Sequence, residues 1–193
     1  MNGSDIIKAV EPVIKLFEKI GIQYFIGGSV ASSILGLSRT TMDVDIVSTI
    51  TLNKVDGLYE GLKNKYYIDK EMIFDAIKNR SSFNIIHTES MFKIDVFILK
   101  DRDYDKESFF RKRMDSFNEG NYSLNIFILS SEDIILNKLE WYRNGGETSE
   151  RQWNDIKGVI KVQGINLDLD YLRKWSKELK VDDLFEKILI DSN

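Results

Sequence analysis

Asp43-Val44-Asp45-Ile46-Val47 sets two acids in alternation with Val44 and Ile46, the signature of a half-buried strand. Alternate residues of a strand share a face, and a rise of roughly 3.3 Å per residue roots the two acids about 6–7 Å apart. Carboxylates so placed can converge on one divalent ion, or on a pair about 3.5–4 Å apart. Val44, Ile46 and Val47 anchor the same strand in a core. Such a strand gains nothing from unpaired acids, because desolvating each charge is costly without a counter-ion. A cation is expected beside them, and Mg²⁺ meets the need.

The segment before this strand adds an anion site. Ile22-Gln23-Tyr24-Phe25-Ile26 is β-branched, aromatic and apolar, and Gly27-Gly28 closes it. Two glycines let the backbone turn sharply and approach a ligand. Ser29 is placed to cap a helix over Val30–Leu35, whose free N–H groups favour an anion. A glycine pair alone is more often a plain strand-to-helix turn. Joined to the two acids, it points to phosphate.

A third acid lies downstream. Phe92-Lys93-Ile94-Asp95-Val96-Phe97-Ile98-Leu99 is the clearest strand of the chain. Alternation puts Asp95 on one face with Lys93 and Phe97, opposite Ile94, Val96 and Ile98. Asp95 then either pairs with Lys93 or closes a metal site beside Asp43 and Asp45, where it can polarise an attacking hydroxyl.

Gly27-Gly28-Ser29, the run Ser38-Arg39-Thr40-Thr41-Met42-Asp43-Val44-Asp45 and the later Asp95 together resemble the nucleotidyltransferase superfamily. The spacing of Arg39, Thr41, Asp43 and Asp45 is similar to that of AbiEii-type nucleotidyltransferases of toxin–antitoxin and phage-defence systems. That subgroup carries a lysine-led helix ending in arginine and then a helix bearing an aspartate. Lys138-Leu139-Glu140-Trp141-Tyr142-Arg143 and Trp153-Asn154-Asp155-Ile156 stand in those places.

The resemblance implies an α/β (α+β) nucleotidyltransferase fold, a small mixed sheet flanked by helices with a C-terminal helical region. It also implies Mg²⁺- or Mn²⁺-dependent transfer of an NMP from an NTP to a hydroxyl of RNA, a protein or a small molecule. Asp43, Asp45 and Asp95 would be the metal ligands and, with Lys138, the catalytic set. Gly27, Gly28, Ser29, Arg39, Lys138, Arg143 and Asp155 would bind nucleotide. A toxin role implies a cognate antitoxin as partner. The alternatives are a nucleotide-binding protein without turnover, an aminoglycoside-type small-molecule enzyme, and an interaction domain whose acids are incidental.

Composition narrows the chemistry. The 193 residues suit one domain with a small appendage. With no cysteine there is neither disulfide nor thiolate, and the single histidine, His87, excludes multi-histidine zinc ligation. A carboxylate site takes a hard cation such as Mg²⁺ or Mn²⁺. A net charge of −4 argues against a general nucleic-acid-binding surface and tilts the acceptor toward a small cationic molecule. No signal peptide or membrane-length apolar run is present, so a soluble, cytoplasmic protein without a membrane partner is expected.

The remaining elements follow from periodicity. Ile6 to Ile20 reads as a helix ended by Gly21, with Pro12 either kinking it or marking its first turn. Thr51 to about Tyr66 and Glu71 to Lys78 read as helices, the first weakened by Gly57 and Gly61. Phe83–Thr88 and Phe92–Leu99 make a hairpin, and Leu124–Leu129 is the last strand. Arg111-Lys112-Arg113 is expected as a solvated helix face rather than a phosphate-binding patch.

Ser130 starts a helix that Gly145-Gly146 breaks, and Ser149 with Gln152 boxes the start of the next. Within them Lys138 either snorkels to solvent or meets an acid, Asp155 pairs with Lys138 or Arg143, and Arg143 can also complement a helix dipole. Residues 1–129 are expected as the catalytic domain and 130–193 as a helical region.

Overall fold

The structure is a computed structural model that describes residues 4–37, 41 and 43–192. The elements run α1 (Ser4–Ile20), β1 (Tyr24–Ile26), α2 (Gly28–Leu35), β2 (Asp43–Ser48), α3 (Val55–Leu62), β3 (Tyr66–Tyr67), α4 (Lys70–Asn79), β4 (Ser82–His87), β5 (Lys93–Ile98), α5 (Asp103–Phe110), β6 (Arg113–Glu119), β7 (Tyr122–Ile128), α6 (Ser131–Asn144), α7 (Glu150–Gln163), α8 (Leu169–Glu178) and α9 (Asp182–Ser192). Short 3₁₀ turns cover Leu52–Lys54 and Gly164–Asn166. The chain divides into two compact units, one of Met1–Gly27 with Thr41–Ile128, the other of Gly28–Thr40 with Leu129–Asn193.

The first unit holds the sheet. Among the described residues seven strands lie in the order β3-β4-β5-β2-β1-β7-β6. β2 runs parallel to β5 and antiparallel to β1, so the sheet is mixed. Val44, Ile46, Ile85, Ile94 and Val96 are buried on one face. Helix α1 packs against α3 and β7, and α4 against β4 and β5. Phe17, Tyr24 and Phe83 are essentially out of solvent, and burying each such side chain contributes about 1.5–3 kcal/mol.

Local chemistry fixes several boundaries. Helix α1 closes with the Ile22 N–H donating to the Phe17 carbonyl (2.8 Å) and Gly21 at φ 72°, a left-handed cap that glycine adopts without steric cost. That closure holds Ile22 in the cap, and β1 starts only at Tyr24 rather than Ile22. Pro12 lies inside α1 and is not its first turn. Helix α2 begins at Gly28, so Ser29 is its second residue and not its cap; Gly28 has φ 53°, open to a residue without Cβ.

The expected helix from Thr51 to Tyr66 is instead a 3₁₀ turn, the eight residues of α3, and the short strand β3. Val55, Leu58 and Leu62 are its buried residues, as their spacing requires. Gly61 permits close approach: a Cβ there would lie 2.5 Å from a methyl of Leu16 on α1. Strands β4 and β5 form the expected hairpin, with Met91 at φ 56° in its turn.

Arg111-Lys112-Arg113 is not a helix face. Arg111 ends α5, Lys112 links, and Arg113 opens β6, a strand that pairs antiparallel with β7. Lys112 turns back, its ammonium 3.7 Å from the centre of the Phe109 ring and donating to the Phe109 carbonyl.

The second unit is helical. Ser130 accepts from the Asp133 N–H to cap α6, and Ser149 accepts from the Gln152 N–H to cap α7. Helix α2 packs on α6 and α7, where Gly36 lets backbones meet: a Cβ there would lie 2.9 Å from the Ser32 carbonyl oxygen and the Val159 nitrogen. The Tyr171 hydroxyl donates to the buried Asp133 carboxylate at 2.8 Å. Among the described residues no helix is long and apolar enough to cross a membrane.

Candidate active site

Strands β2 and β5 bring the three acids into one patch. Their parallel register sets Asp45 beside Asp95 and Asp43 beside Lys93. Both strands alternate half-buried and buried residues, and Asp43, Asp45, Lys93 and Asp95 all fall on the half-buried face. Val44, Ile46, Ile94 and Val96 occupy the buried one. Neighbouring strands are spaced about 4.7–4.9 Å, so Asp45 and Asp95 are rooted side by side. One hydrophobic pattern therefore drives both the core and the gathering of the acids.

Each acid is held by its surroundings. The Thr41 hydroxyl donates to Asp43 Oδ1 (3.0 Å) and lies near the Asp43 carbonyl oxygen (3.2 Å). The Gly27 N–H donates to the Asp45 carbonyl at 2.9 Å, so the glycine turn opens alongside Asp45. Asp95 Oδ2 pairs with Lys93 Nζ at 2.7 Å. On its other side Asp95 faces Asn84 of β4, a polar residue on the same face.

Charge is what this face must manage. Carboxylates side by side repel each other. Lys93 answers that repulsion. Its hydrogen bond to Asp95 raises its pKa above the usual lysine value, and the fields of Asp95, Asp43 and Asp45 add to the effect, against a desolvation that lowers it. Of the two roles open to Asp95, the structure shows the pairing with Lys93, and it sets Asp95 beside Asp45 in the register.

The donor set is all oxygen and suits a hard divalent cation. As the side chains stand, no group of three or more carboxylate or imidazole side chains among the described residues is gathered closely enough to hold a metal ion. The lysine ammonium is the cation drawn to the face.

In the second unit, Gly28 and Ser29 open α2, and the Ser29 carbonyl accepts from the Ser32 hydroxyl. Lys138 Nζ donates to Asp155 Oδ2 at 2.8 Å, with both side chains no more than about a tenth exposed (10% and 8%). Of the two partners open to Asp155, the structure selects Lys138. Arg143 pairs with Glu147 and Asp183 on the surface. Arg39 lies outside the described residues.

A cavity of about 600 Å³ opens elsewhere in the first unit, lined by Glu18, Tyr24, Lys112 and Phe127 among others. It contains none of the three acids and borders Tyr24, where β1 starts, rather than Gly27. Burial lowers the pKa of Lys112 there.

Sequence reasoning passed over Thr41 as a partner of Asp43, and Asn84. Thr41 was visible two residues before Asp43, but a hydroxyl at that spacing has no single use. Asn84 becomes significant only through the β4–β5 register.

No protein-family model matches the chain, and no curated protein matches it either. Solved structures do. ANT(2'')-Ia, an antibiotic-resistance factor, is similar over 92% of this chain and 94% of its own, with 10% identity and a TM-score of 0.58. Its complex with adenylyl-2''-tobramycin is similar over 89% and 97%, at 12% identity and a TM-score of 0.55. An antigenic nucleotidyltransferase-like protein from Paracoccidioides brasiliensis is similar over 92% and 94%, at 18% identity and a TM-score of 0.52. Likeness at such identities is likeness of fold, and the fold of this chain is that of the nucleotidyltransferases.

Proposed function

We propose that the chain is a metal-dependent nucleotidyltransferase that moves an NMP from an NTP to a hydroxyl of an acceptor. The supporting observation is the β2–β5 register, which sets Asp45 beside Asp95 on the face that also carries Asp43. An interaction domain would gain nothing from three acids on one face of two paired strands.

Bound Mg²⁺ or Mn²⁺ would neutralise charge on the entering and leaving oxygens, an effect worth several kcal/mol. Asp43, Asp45 and Asp95 would hold the metal, with Asp43 oriented by the Thr41 hydroxyl. Asp95 would take the proton of the acceptor hydroxyl. That oxygen bonds to the α-phosphorus, the bridge to the β-phosphate breaks, and pyrophosphate leaves with the electron pair. Gly27, Gly28 and Ser29 would hold the triphosphate through backbone N–H groups and a hydroxyl. Lys138, oriented by Asp155, and Arg143 would supply positive charge, with Arg39 from the run that leads to Asp43 and Asp45.

For the acceptor, a small cationic polyhydroxylated molecule is favoured. The chain's net charge of −4 and its fold likeness across nearly the whole of ANT(2'')-Ia, seen with adenylyl-2''-tobramycin, support it. The resemblance to AbiEii-type enzymes supports RNA as acceptor, with a toxin role in the cytoplasm and an antitoxin partner.

The test is incubation with each α-labelled NTP, Mg²⁺ or Mn²⁺, and two acceptor pools, aminoglycoside-like polyamines and total RNA. Label is expected in a small cationic product. Label in RNA instead would replace the small-molecule acceptor with the toxin-type one, and nucleotide binding without any product would leave a binding protein. Asp45→Asn is expected to lower transfer about a hundred- to a thousandfold, the scale of losing one electrostatic stabiliser of the transition state. Its melting temperature without metal should not fall, since the change relieves acid–acid repulsion. Full turnover in Asp45→Asn would remove the assignment.

A further inference from the structure

The acidic face carries its own cation. Lys93 lies two residues before Asp95 on the same face of β5 and directly beside Asp43 on β2. Its ammonium is 2.7 Å from Asp95 Oδ2. The fields of Asp43 and Asp45 also favour its charge, so the lysine answers all three acids and not its nearest neighbour alone. Its side chain is 45% exposed, against 15% for Asp95. Lys93 therefore reaches the acids from the solvent side, on a flexible four-carbon stem.

We propose that Lys93 is a tethered counter-ion that competes with a divalent cation for Asp95 and so weakens the binding of free metal. The inference rests on the metal-dependent reading above. Two observations carry it: the ion pair on the acid whose neighbour in the register is Asp45, and the exposure of the lysine side chain, which lets the ammonium swing into solvent. A divalent ion brings twice the charge to the same oxygens, but it must either share Asp95 with the ammonium or displace it. Removing a positive charge one strand spacing away strengthens the field that attracts the ion.

The experiment measures Mn²⁺ binding to the metal-stripped 193-residue chain by electron paramagnetic resonance of the free ion. It compares the natural protein, Lys93→Met, Lys93→Gln and Lys93→Arg. Each is repeated with Asp45→Asn to subtract ions held by other surface acids. Lys93→Met and Lys93→Gln are expected to bind Mn²⁺ about tenfold more tightly at the Asp45-dependent site, the scale of a modest charge interaction. Lys93→Arg keeps the charge and should match the natural protein. Thermal melts confirm that each variant folds, and the two neutral variants give independent chances of a folded one.

Unchanged or weaker binding in both neutral variants overturns the proposal. Tighter binding in Lys93→Arg overturns it as well, since shape and not charge would then be responsible. If the natural protein shows Asp45-dependent binding that the neutral variants do not exceed, Lys93 loses its role and the metal site stands. If no variant shows Asp45-dependent binding, the metal-dependent reading falls, and this inference with it.

Discussion

Two lysine–aspartate pairs of nearly equal length stand in different surroundings. Lys138 meets Asp155 at 2.8 Å in the helical unit, and Lys93 meets Asp95 at 2.7 Å on the sheet. The first pair is closed off from water, and the second is open on the lysine side. A buried pair cannot lose one member without stranding the other, because desolvation has already been spent on both. A half-solvated pair can separate at little cost, since water replaces the partner. The first acts as a tie between α6 and α7, and the second as a contact that a competing ion can open.

The sharpest way to break this contrast is Lys138→Met. It takes the ammonium away from a carboxylate only 8% exposed, and the expected loss is about 3–5 kcal/mol, read as a fall in the urea midpoint. Adding Asp155→Leu should recover most of that loss, because two apolar residues no longer demand a counter-charge. If Lys138→Met costs less than about 1 kcal/mol, the tie is not structural and the contrast fails. Lys93→Met, in metal-free buffer, should cost no more than about 1 kcal/mol in the same measurement. A larger cost would make Lys93 a structural residue and count against its ready displacement.

The smallest effect is a salt dependence. Raising salt from 0.1 M to 1 M shortens the screening length from about 10 Å to about 3 Å. The stability difference between the natural protein and Lys93→Met should then vanish, while that for Lys138→Met should persist. Equal sensitivity of the two would mean that burial does not separate them.

Much of the acidic patch was legible because one pattern wrote both its core and its face. In Asp43-Val44-Asp45-Ile46 and Lys93-Ile94-Asp95-Val96, period-two alternation sorts acids from apolar residues, and the structure keeps that sorting. The pairing of the two strands was not written there. Parallel neighbours 50 residues apart leave no local signal, and the position of Asp45 beside Asp95 emerges only from the assembled sheet. Strand β6 was missed because Met114, Ser116 and Asn118 are exposed on an edge strand, and an edge needs no buried face. The two residues of β3 are too few to show a period. Gly61 looked like a weakness in a helix, whereas its missing side chain makes room for Leu16. Caps on α6 and α7 were readable, because a serine three residues before the N–H it accepts is a local device.

The six-residue match between Asp43–Ser48 and Lys93–Ile98 has a consequence for how this protein can vary. Inserting or deleting one residue inside either segment would rotate every later side chain to the opposite surface, sending carboxylates inward and valines out. Such a change would forfeit folding before it could alter chemistry. Length in these two segments is therefore fixed from two directions at once, and variation in length has room only outside them.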